Sequence, residues 1–173
     1  MKAIVVVESL WGNTLAVGRA IAEGIGEGAV AVTTSEAIPD LLDGADLVVA
    51  GAPVHIMRLP SSKTREKARL RGERPGATKP DLSQVPMAEW GRGLAHATAL
   101  GAAFDTRIGT QKGGCSAAKI SGRLKKAGYR PALSPERFFV ERVGDDPGSG
   151  VRLADGELDR ARAWGKALAE AVS

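Results

Sequence analysis

Residues 3 to 14 read Ala3-Ile4-Val5-Val6-Val7-Glu8-Ser9-Leu10-Trp11-Gly12-Asn13-Thr14. The run Ala3–Val7 is continuously apolar and rich in β-branched residues, which is typical of a strand buried on both faces in a parallel sheet. From residue 14 to about residue 27 the apolar side chains recur every four positions, which predicts an amphipathic helix. The polar residues in between therefore form a loop that joins a buried strand directly to a helix start.

The rest of the chain repeats this alternation of strand and helix. Four further strands are predicted at residues 29–33, 46–51, 98–104 and 137–143. Helices are predicted near residues 87–94, over residues 117–127, and after a loop at residues 145–150. Parallel strands need crossover helices on the faces of their sheet. We therefore predict an α/β fold with three layers, built on a doubly wound, five-stranded parallel sheet.

The positive charge of the chain is concentrated in one segment. The 173 residues include 24 Lys and Arg and 20 Asp and Glu, which gives a formal net charge of +4. Eight of the basic residues and two of the acidic ones lie in residues 58–79, so the remainder of the chain is mildly acidic. Part of this segment, about residues 63–70, is predicted to be a helix with a solvated face. Because the charge is confined to one segment, we expect no nucleic-acid partner.

Length and composition favour a single domain over residues 1–173, with a basic insertion at about residues 58–80. No apolar stretch approaches the roughly 20 residues that span a bilayer. The run Ala3–Val7 is too short for the core of a signal peptide, so we expect a cytoplasmic protein. One cysteine and two histidines argue against a disulfide and against a Cys-rich or His-rich metal site.

The loop after the first strand has the composition of a phosphate site. The hydroxyls of Ser9 and Thr14, the amide of Asn13 and the N–H groups of the first helical turn converge there, and Gly12 permits close approach of a ligand oxygen. Residues 3–18 contain no Lys or Arg, so hydrogen bonds and the helix dipole alone would hold the anion. This suits a phosphate monoester rather than a nucleoside triphosphate. The alternative is that these residues only cap the helix.

The loop Ser9-Leu10-Trp11-Gly12-Asn13-Thr14 resembles the phosphate loop of the flavodoxin family, which reads roughly Ser/Thr-x-Thr-Gly-Asn-Thr. Trp11 stands where the strict pattern has a hydroxyl, as in flavodoxin-like proteins of the actinobacterial type. The resemblance implies a flavodoxin-like fold in which six residues bind the phosphate of FMN, namely Ser9, Leu10, Trp11, Gly12, Asn13 and Thr14.

The segment after the third strand is similar to the Gly-Ser-Pro-Thr stretch that begins the first flavin loop of the family. Its residues here are Ala52, Pro53, Val54 and His55. The resemblance implies that Pro53 fixes the backbone against the flavin ring and that His55 lies beside the ring or stacks on it. A histidine at the tip of a surface loop is the alternative.

The segment after the fourth strand corresponds to the second flavin loop of the family. It contains Asp105, Thr106 and Arg107, and the resemblance implies that Arg107 stabilises charge on a reduced flavin. Flavodoxins usually stack an aromatic residue from this loop on the ring, whereas residues 105–114 contain none.

The resemblance implies an FMN-binding protein that carries electrons between a reductase and an acceptor. FMN supplies the redox chemistry, so no catalytic side chain is expected. The acceptor is a redox partner protein or a small molecule. The basic segment leaves from the predicted flavin loop and would favour an acidic partner.

Two other functions stay open. One is a small FMN-dependent oxidoreductase that acts on a quinone or a porphyrinogen, and the other is a flavodoxin-like module that binds no cofactor and acts by protein contact. A signalling receiver is excluded, because the chain lacks an acidic cluster after the first strand and an Asp at the end of the third.

Overall fold

A computed structural model describes residues 1–54, 59–73, 77–109, 116–144 and 150–172, without the side chain of residue 71. Strands and helices alternate over the first part of the chain, as the sequence predicts, whereas two helices and later three strands follow one another directly. The elements in chain order are β1 (Ala3–Val7), α1 (Asn13–Ile25), β2 (Ala29–Thr33), α2 (Pro39–Leu42), β3 (Leu47–Pro53), α3 (Ser62–Gly72), α4 (Met87–Trp90), β4 (Leu100–Ile108), α5 (Ser116–Lys126), β5 (Arg130–Pro131), β6 (Glu136–Arg142), β7 (Val151–Leu153) and α6 (Glu157–Val172).

The strands form one sheet in the order β2-β1-β3-β4-β6-β7, and β5 pairs with the start of β4. All pairs are parallel except β6 with β7, which is antiparallel. β1 lies between β2 and β3 in the sheet. The chain therefore passes from β1 to its neighbour β2 on one side and then crosses to β3 on the other side. In doubly wound sheets, ligands bind beyond the carboxyl ends of the strands at this switch point.

The predicted number of five strands is wrong, because the described residues alone form a sheet of seven. The additional strands are β5, with two residues, and β7, with three. Strands this short have too few positions for an apolar run or an alternation to be visible in the sequence. The predicted fifth strand corresponds to β6. Because β7 returns antiparallel along β6, the sheet is mixed rather than wholly parallel.

Two apolar layers cover the two faces of the sheet, which confirms the three-layer arrangement. Alternate residues of β1 face opposite layers, as the pleat of a strand requires. Val5 and Val7 pack in the layer with α1 and α6, whereas Ile4 and Val6 pack in the layer with α4 and α5. Within the described ranges, no helix is both long enough and apolar enough to cross a bilayer.

Two glycines bring α1 and α6 into backbone contact. A Cβ atom on Gly24 would overlap the carbonyl oxygen of Arg162, and one on Gly165 would overlap the carbonyl oxygen of Ile21. No larger side chain fits at either position without moving a helix. The position of α1 is therefore set by α6 on one side and by the sheet on the other.

A groove with a volume of about 800 Å³ lies on the face of the sheet opposite to α1 and α6, where α2 and α4 pack. These helices have four residues each, so they leave part of that face open. Its lining extends from Thr34 to Tyr129 and includes Trp90 and His96. The groove contains none of the residues that the sequence predicts to bind a ligand.

Candidate phosphate and flavin site

The loop between β1 and α1 is closed by its own residues and leaves open space beside its glycine. Gly12 has φ of +90°, a left-handed conformation that glycine adopts without strain. A Cβ atom on Gly12 would meet no described atom within 4 Å beyond its own chain neighbours. The Gly12 N–H donates a hydrogen bond to Ser9 Oγ at 3.1 Å. The loop therefore has a defined shape with room for a ligand at Gly12.

The first turn of α1 has no side-chain cap. The helix begins at Asn13 after Gly12 as its N-cap, and within the described part of the chain no side-chain cap hydrogen bond is present there. The first N–H groups of a helix lack partners within the helix and carry the positive end of its dipole. Among the described residues, the polar side chains of the loop are therefore not seen to cap the helix, and the alternative in which they only cap it gains no support.

Asn13 and Thr14 connect the phosphate loop to other parts of the sheet. Asn13 Nδ2 donates to the carbonyl oxygen of Val151 in β7 at 2.8 Å. The hydroxyls of Thr14 and Thr106 share a hydrogen bond of 2.8 Å, and both side chains are buried. The structure thus brings together Thr14 and Thr106, which the sequence assigns to two separate parts of the site.

Leu10 and Trp11 lie against the connection between α3 and α4. The Leu10 side chain is buried, and its carbonyl oxygen accepts a hydrogen bond from the Asp81 N–H at 2.8 Å. The half-buried Trp11 donates from Nε1 to the carbonyl oxygen of Thr78 at 3.2 Å. Trp11, which replaces a hydroxyl of the family pattern, therefore contacts a distant segment of the chain.

The first predicted flavin segment begins inside the sheet. The third strand, predicted to end at residue 51, extends to Pro53, so Ala52 and Pro53 are strand residues rather than loop residues. Ala52 is buried, and Pro53 and Val54 are half-buried. The Val54 N–H donates to the carbonyl oxygen of Thr106 at 2.8 Å. His55 lies outside the described residues.

The second predicted flavin segment is part of β4, so the prediction of a loop at Asp105, Thr106 and Arg107 is wrong. Arg107 donates from Nε and Nη2 to the two oxygens of the Asp105 carboxylate at 2.8 and 2.7 Å, and both side chains are buried. The Ala117 N–H in α5 also donates to Asp105 at 3.0 Å. These polar residues stay in a buried strand because they neutralise one another. Their spacing of two, which places them on one face of a strand, is the signal that could have revealed the pair.

Known proteins with this architecture are found among solved structures. No family model matches the sequence, and no curated protein is significantly similar to it. A flavodoxin from the domain Archaea superposes with a TM-score of 0.65 at 22% identity, over 99% of each chain. The chain has the flavodoxin fold. Flavodoxin 2 from Bacillus cereus gives a TM-score of 0.64 at 15% identity, over 98% of this chain and 99% of its own.

The same flavodoxin fold occurs as part of longer proteins. Rubredoxin oxygen:oxidoreductase from the anaerobe Desulfovibrio gigas superposes with a TM-score of 0.58 at 16% identity. The match covers 99% of this chain and 36% of that one. The fold predicted from the loop Ser9–Thr14 is confirmed by these comparisons.

A buried ion pair lies directly behind the candidate phosphate loop of this flavodoxin-like chain. Glu8 follows β1 and is completely buried, and its Oε1 lies 3.5 Å from Nε of Arg65 in α3. The Met87 N–H donates to Glu8 Oε2 at 2.7 Å. Burial raises the pKa of the Glu8 carboxyl to about 7, although the Met87 N–H and Arg65 both act to lower it.

This ion pair is incompletely hydrogen-bonded. Among the described residues, Glu8 Oε1 accepts no hydrogen bond, and Nε and Nη2 of Arg65 donate none. The sequence does not predict this pair. The one available signal is that Glu8 follows directly on a strand that is buried on both faces.

The basic segment is less basic at its surface than its composition indicates. The predicted helix is confirmed as α3, but Arg65 is only 7% exposed and belongs to the ion pair with Glu8. Arg69 pairs with Glu66 and Glu73 on the helix surface. Lys63 and Lys67 are exposed. The charge that α3 offers to a partner is therefore carried by a subset of its cations.

Proposed function

We propose that this chain binds FMN and carries electrons between a reductase and an acceptor. The observation that supports this function best is the start of α1, where a left-handed glycine precedes a helix N-terminus that has no side-chain cap and, as far as the structure describes the chain, no atom packed against the glycine. A helix N-terminus of this kind attracts anions. Because residues 3–18 contain no Lys or Arg, it suits the modest charge of a phosphate monoester.

The described residues fit the two ends of FMN. The first-turn N–H groups of α1, with Ser9 and Thr14, would hold the phosphate. Pro53 and Val54, at the carboxyl end of β3, would contact the flavin ring together with His55, because ligands of doubly wound sheets bind beyond these strand ends. When bound, FMN supplies the transfer of electrons.

The role of the protein in this function is placement. The Thr14–Thr106 hydrogen bond joins the phosphate loop to β4, and the Val54 N–H joins the segment after β3 to the same residue of β4. Asp105 fixes the start of α5 through the Ala117 N–H. An electron carrier needs such fixed placement and no side-chain acid, base or nucleophile.

The proposed partner is an acidic redox protein. Lys63 and Lys67 are exposed on α3, in the connection that leaves from the candidate flavin segment. Cations at this place would steer an acidic protein toward the ring and accelerate association at low salt. Arg65 does not contribute to this attraction, because its charge is buried against Glu8.

The test compares FMN with riboflavin, which lacks the phosphate. Purified protein mixed with FMN is expected to show the absorbance bands of bound flavin. Thr14→Ala is expected to weaken FMN binding by about tenfold through the lost hydroxyl contacts, and riboflavin binding much less. Thr34→Ala is the matched control, since it removes another buried threonine hydroxyl that lies outside the loop.

Three results would overturn parts of this proposal. Equal weakening of FMN and riboflavin by Thr14→Ala refutes the phosphate assignment. Failure to bind micromolar FMN refutes the cofactor and favours a module that acts by protein contact. Steady turnover of a quinone or a porphyrinogen by the FMN-loaded protein refutes the role of a carrier and indicates an oxidoreductase.

A further inference from the structure

A carboxamide from a distant part of the chain brackets the first residue of the phosphate loop. Gln84 lies in the connection between α3 and α4, 75 positions from Ser9, and is buried. Its Oε1 accepts a hydrogen bond from the Ser9 N–H at 3.0 Å, and its Nε2 donates to the Ser9 carbonyl oxygen at 3.1 Å. The side chain thus gives Ser9 the two bonds that a residue of a neighbouring strand would give.

Other groups fix the orientation of this carboxamide. Nε2 of Gln84 also donates to Asp81 Oδ2 at 2.9 Å. The N–H and hydroxyl of Ser83 donate to the other oxygen of Asp81, and these bonds, with that of Gln84, hold the pKa of Asp81 below its usual value. A rotated carboxamide would place its oxygen against a carboxylate, so only one orientation satisfies both neighbours.

The same segment contacts the next two residues of the loop. The Asp81 N–H donates to the Leu10 carbonyl oxygen, and the carbonyl oxygen of Thr78 accepts from the indole of Trp11. Residues 78–84, which we name the bracing segment, therefore contact residues 9, 10 and 11 in turn. Arg65 holds this segment in place by donating from Nη1 to the carbonyl oxygen of Gln84 at 2.5 Å.

We propose that Gln84 is a positioning residue, which sets the shape of the phosphate loop for a phosphate monoester without touching the ligand. The inference rests on the proposed function. A loop without Lys or Arg holds a phosphate by the directions of its hydrogen-bond donors, so a misplaced backbone loses most of the interaction. Because the bracing segment orders the loop during folding, the ligand does not have to order it on binding.

The experiment measures the ratio of the FMN and riboflavin dissociation constants. Gln84→Met keeps most of the side-chain volume and removes both bonds to Ser9. It is expected to reduce the preference for FMN over riboflavin by about tenfold. Thr34→Val is the matched control, because Thr34 donates to the Val85 carbonyl oxygen at 2.6 Å and so holds the neighbouring residue of the same connection. This control is expected to lower the melting temperature and to leave the ratio unchanged.

The outcomes separate this inference from the proposed function. If the wild type itself does not prefer FMN, the proposed function is refuted and the role of Gln84 falls with it. If the wild type prefers FMN and Gln84→Met keeps the full preference, only the positioning role is overturned. The positioning role is also overturned if Thr34→Val reduces the preference for FMN as much as Gln84→Met does.

Amide hydrogen exchange of the ligand-free wild type gives a second test that does not depend on the folding of a variant. The Ser9 and Gly12 amides are expected to exchange slowly, because Gln84 and Ser9 Oγ accept their hydrogen bonds. Fast exchange at both amides that becomes slow only after FMN is added would show that the ligand orders the loop, and would overturn the inference.

Discussion

The buried carboxyl of Glu8 is expected to lower the stability of this protein as the pH rises from about 4.5 to about 7. Its pKa is raised from 4.5 to about 7, chiefly because the side chain is cut off from water. The charged groups that face it are Arg65 on α3, which favours the carboxylate, and Glu89 near the end of α4, which opposes it. The folded chain therefore keeps the Glu8 proton at a pH where the unfolded chain has released it.

The sign and size of the effect follow from these two pKa values. Below pH 4.5 both states are protonated, and the stabilising contribution of the protonated carboxyl is fully present. Between pH 4.5 and about 7 only the unfolded state releases the proton, so this contribution is progressively lost. At about 1.4 kcal/mol per pH unit, the total loss is about 3 kcal/mol. For a chain of this length it corresponds to roughly 10 °C in melting temperature.

Glu8→Gln tests this prediction, because glutamine imitates the protonated carboxyl and keeps an acceptor for the Met87 N–H. The free energy of unfolding is measured in urea at pH 5 and at pH 8. The variant is expected to become more stable relative to the wild type as the pH rises, and to exceed its unfolding free energy by about 3 kcal/mol at pH 8. Glu36→Gln is the control. Hydrogen bonds from Thr33 lower the pKa of Glu36, so its contribution is constant over this range and is lost only in acid. An equal difference between Glu8→Gln and the wild type at both pH values would refute the reasoning.

Three further predictions concern ion pairs, helix contacts and partner binding. Asp105→Asn removes the buried carboxylate that accepts hydrogen bonds from Arg107 and from the Ala117 N–H, and it is expected to lower the unfolding free energy by about 3–5 kcal/mol in urea, with partial recovery in Asp105→Asn/Arg107→Leu. Gly24→Ala is expected to lower the unfolding free energy by about 1–3 kcal/mol, because its Cβ atom would force α1 away from α6. Gly122→Ala in α5, where no described atom lies within 4 Å of the new Cβ, is expected to raise the melting temperature. Lys63→Glu/Lys67→Glu is expected to slow reduction by an acidic partner at low salt only, and an equal effect of Lys125→Glu/Lys166→Glu would exclude a local role of α3.

Elements with a strong apolar pattern could be predicted from the sequence. β1 and β2 were predicted with their bounds, because their apolar residues form uninterrupted runs. The helix α5 was also predicted, since Ala117, Ile120 and Leu124 recur at helical spacing and are buried. The extension of β4 was not predicted, because a buried strand with an Asp and an Arg at its end reads as a loop until the two charges are paired.

The part of the site that depends on distant residues could not be predicted. Glu8 is joined to Arg65, and Ser9 to Gln84, by contacts that the sequence separation does not reveal. A glutamine in a connection between two helices has no pattern that marks it as structural. The residues that carry the family motif were identified from the sequence, whereas the residues that hold the motif in place became visible only in three dimensions.

The close contact between α1 and α6 has a consequence for the order in which the protein is made. The loop Ser9–Thr14 and α1 leave the ribosome well before α6, since α1 ends at Ile25, whereas α6 begins only at Glu157. Until α6 is available, nothing covers the face of α1 on which Gly24 lies. Under the proposed function, we therefore expect a nascent chain to contain the whole loop Ser9–Thr14 and still fail to retain FMN, and to bind FMN only after synthesis has passed α6.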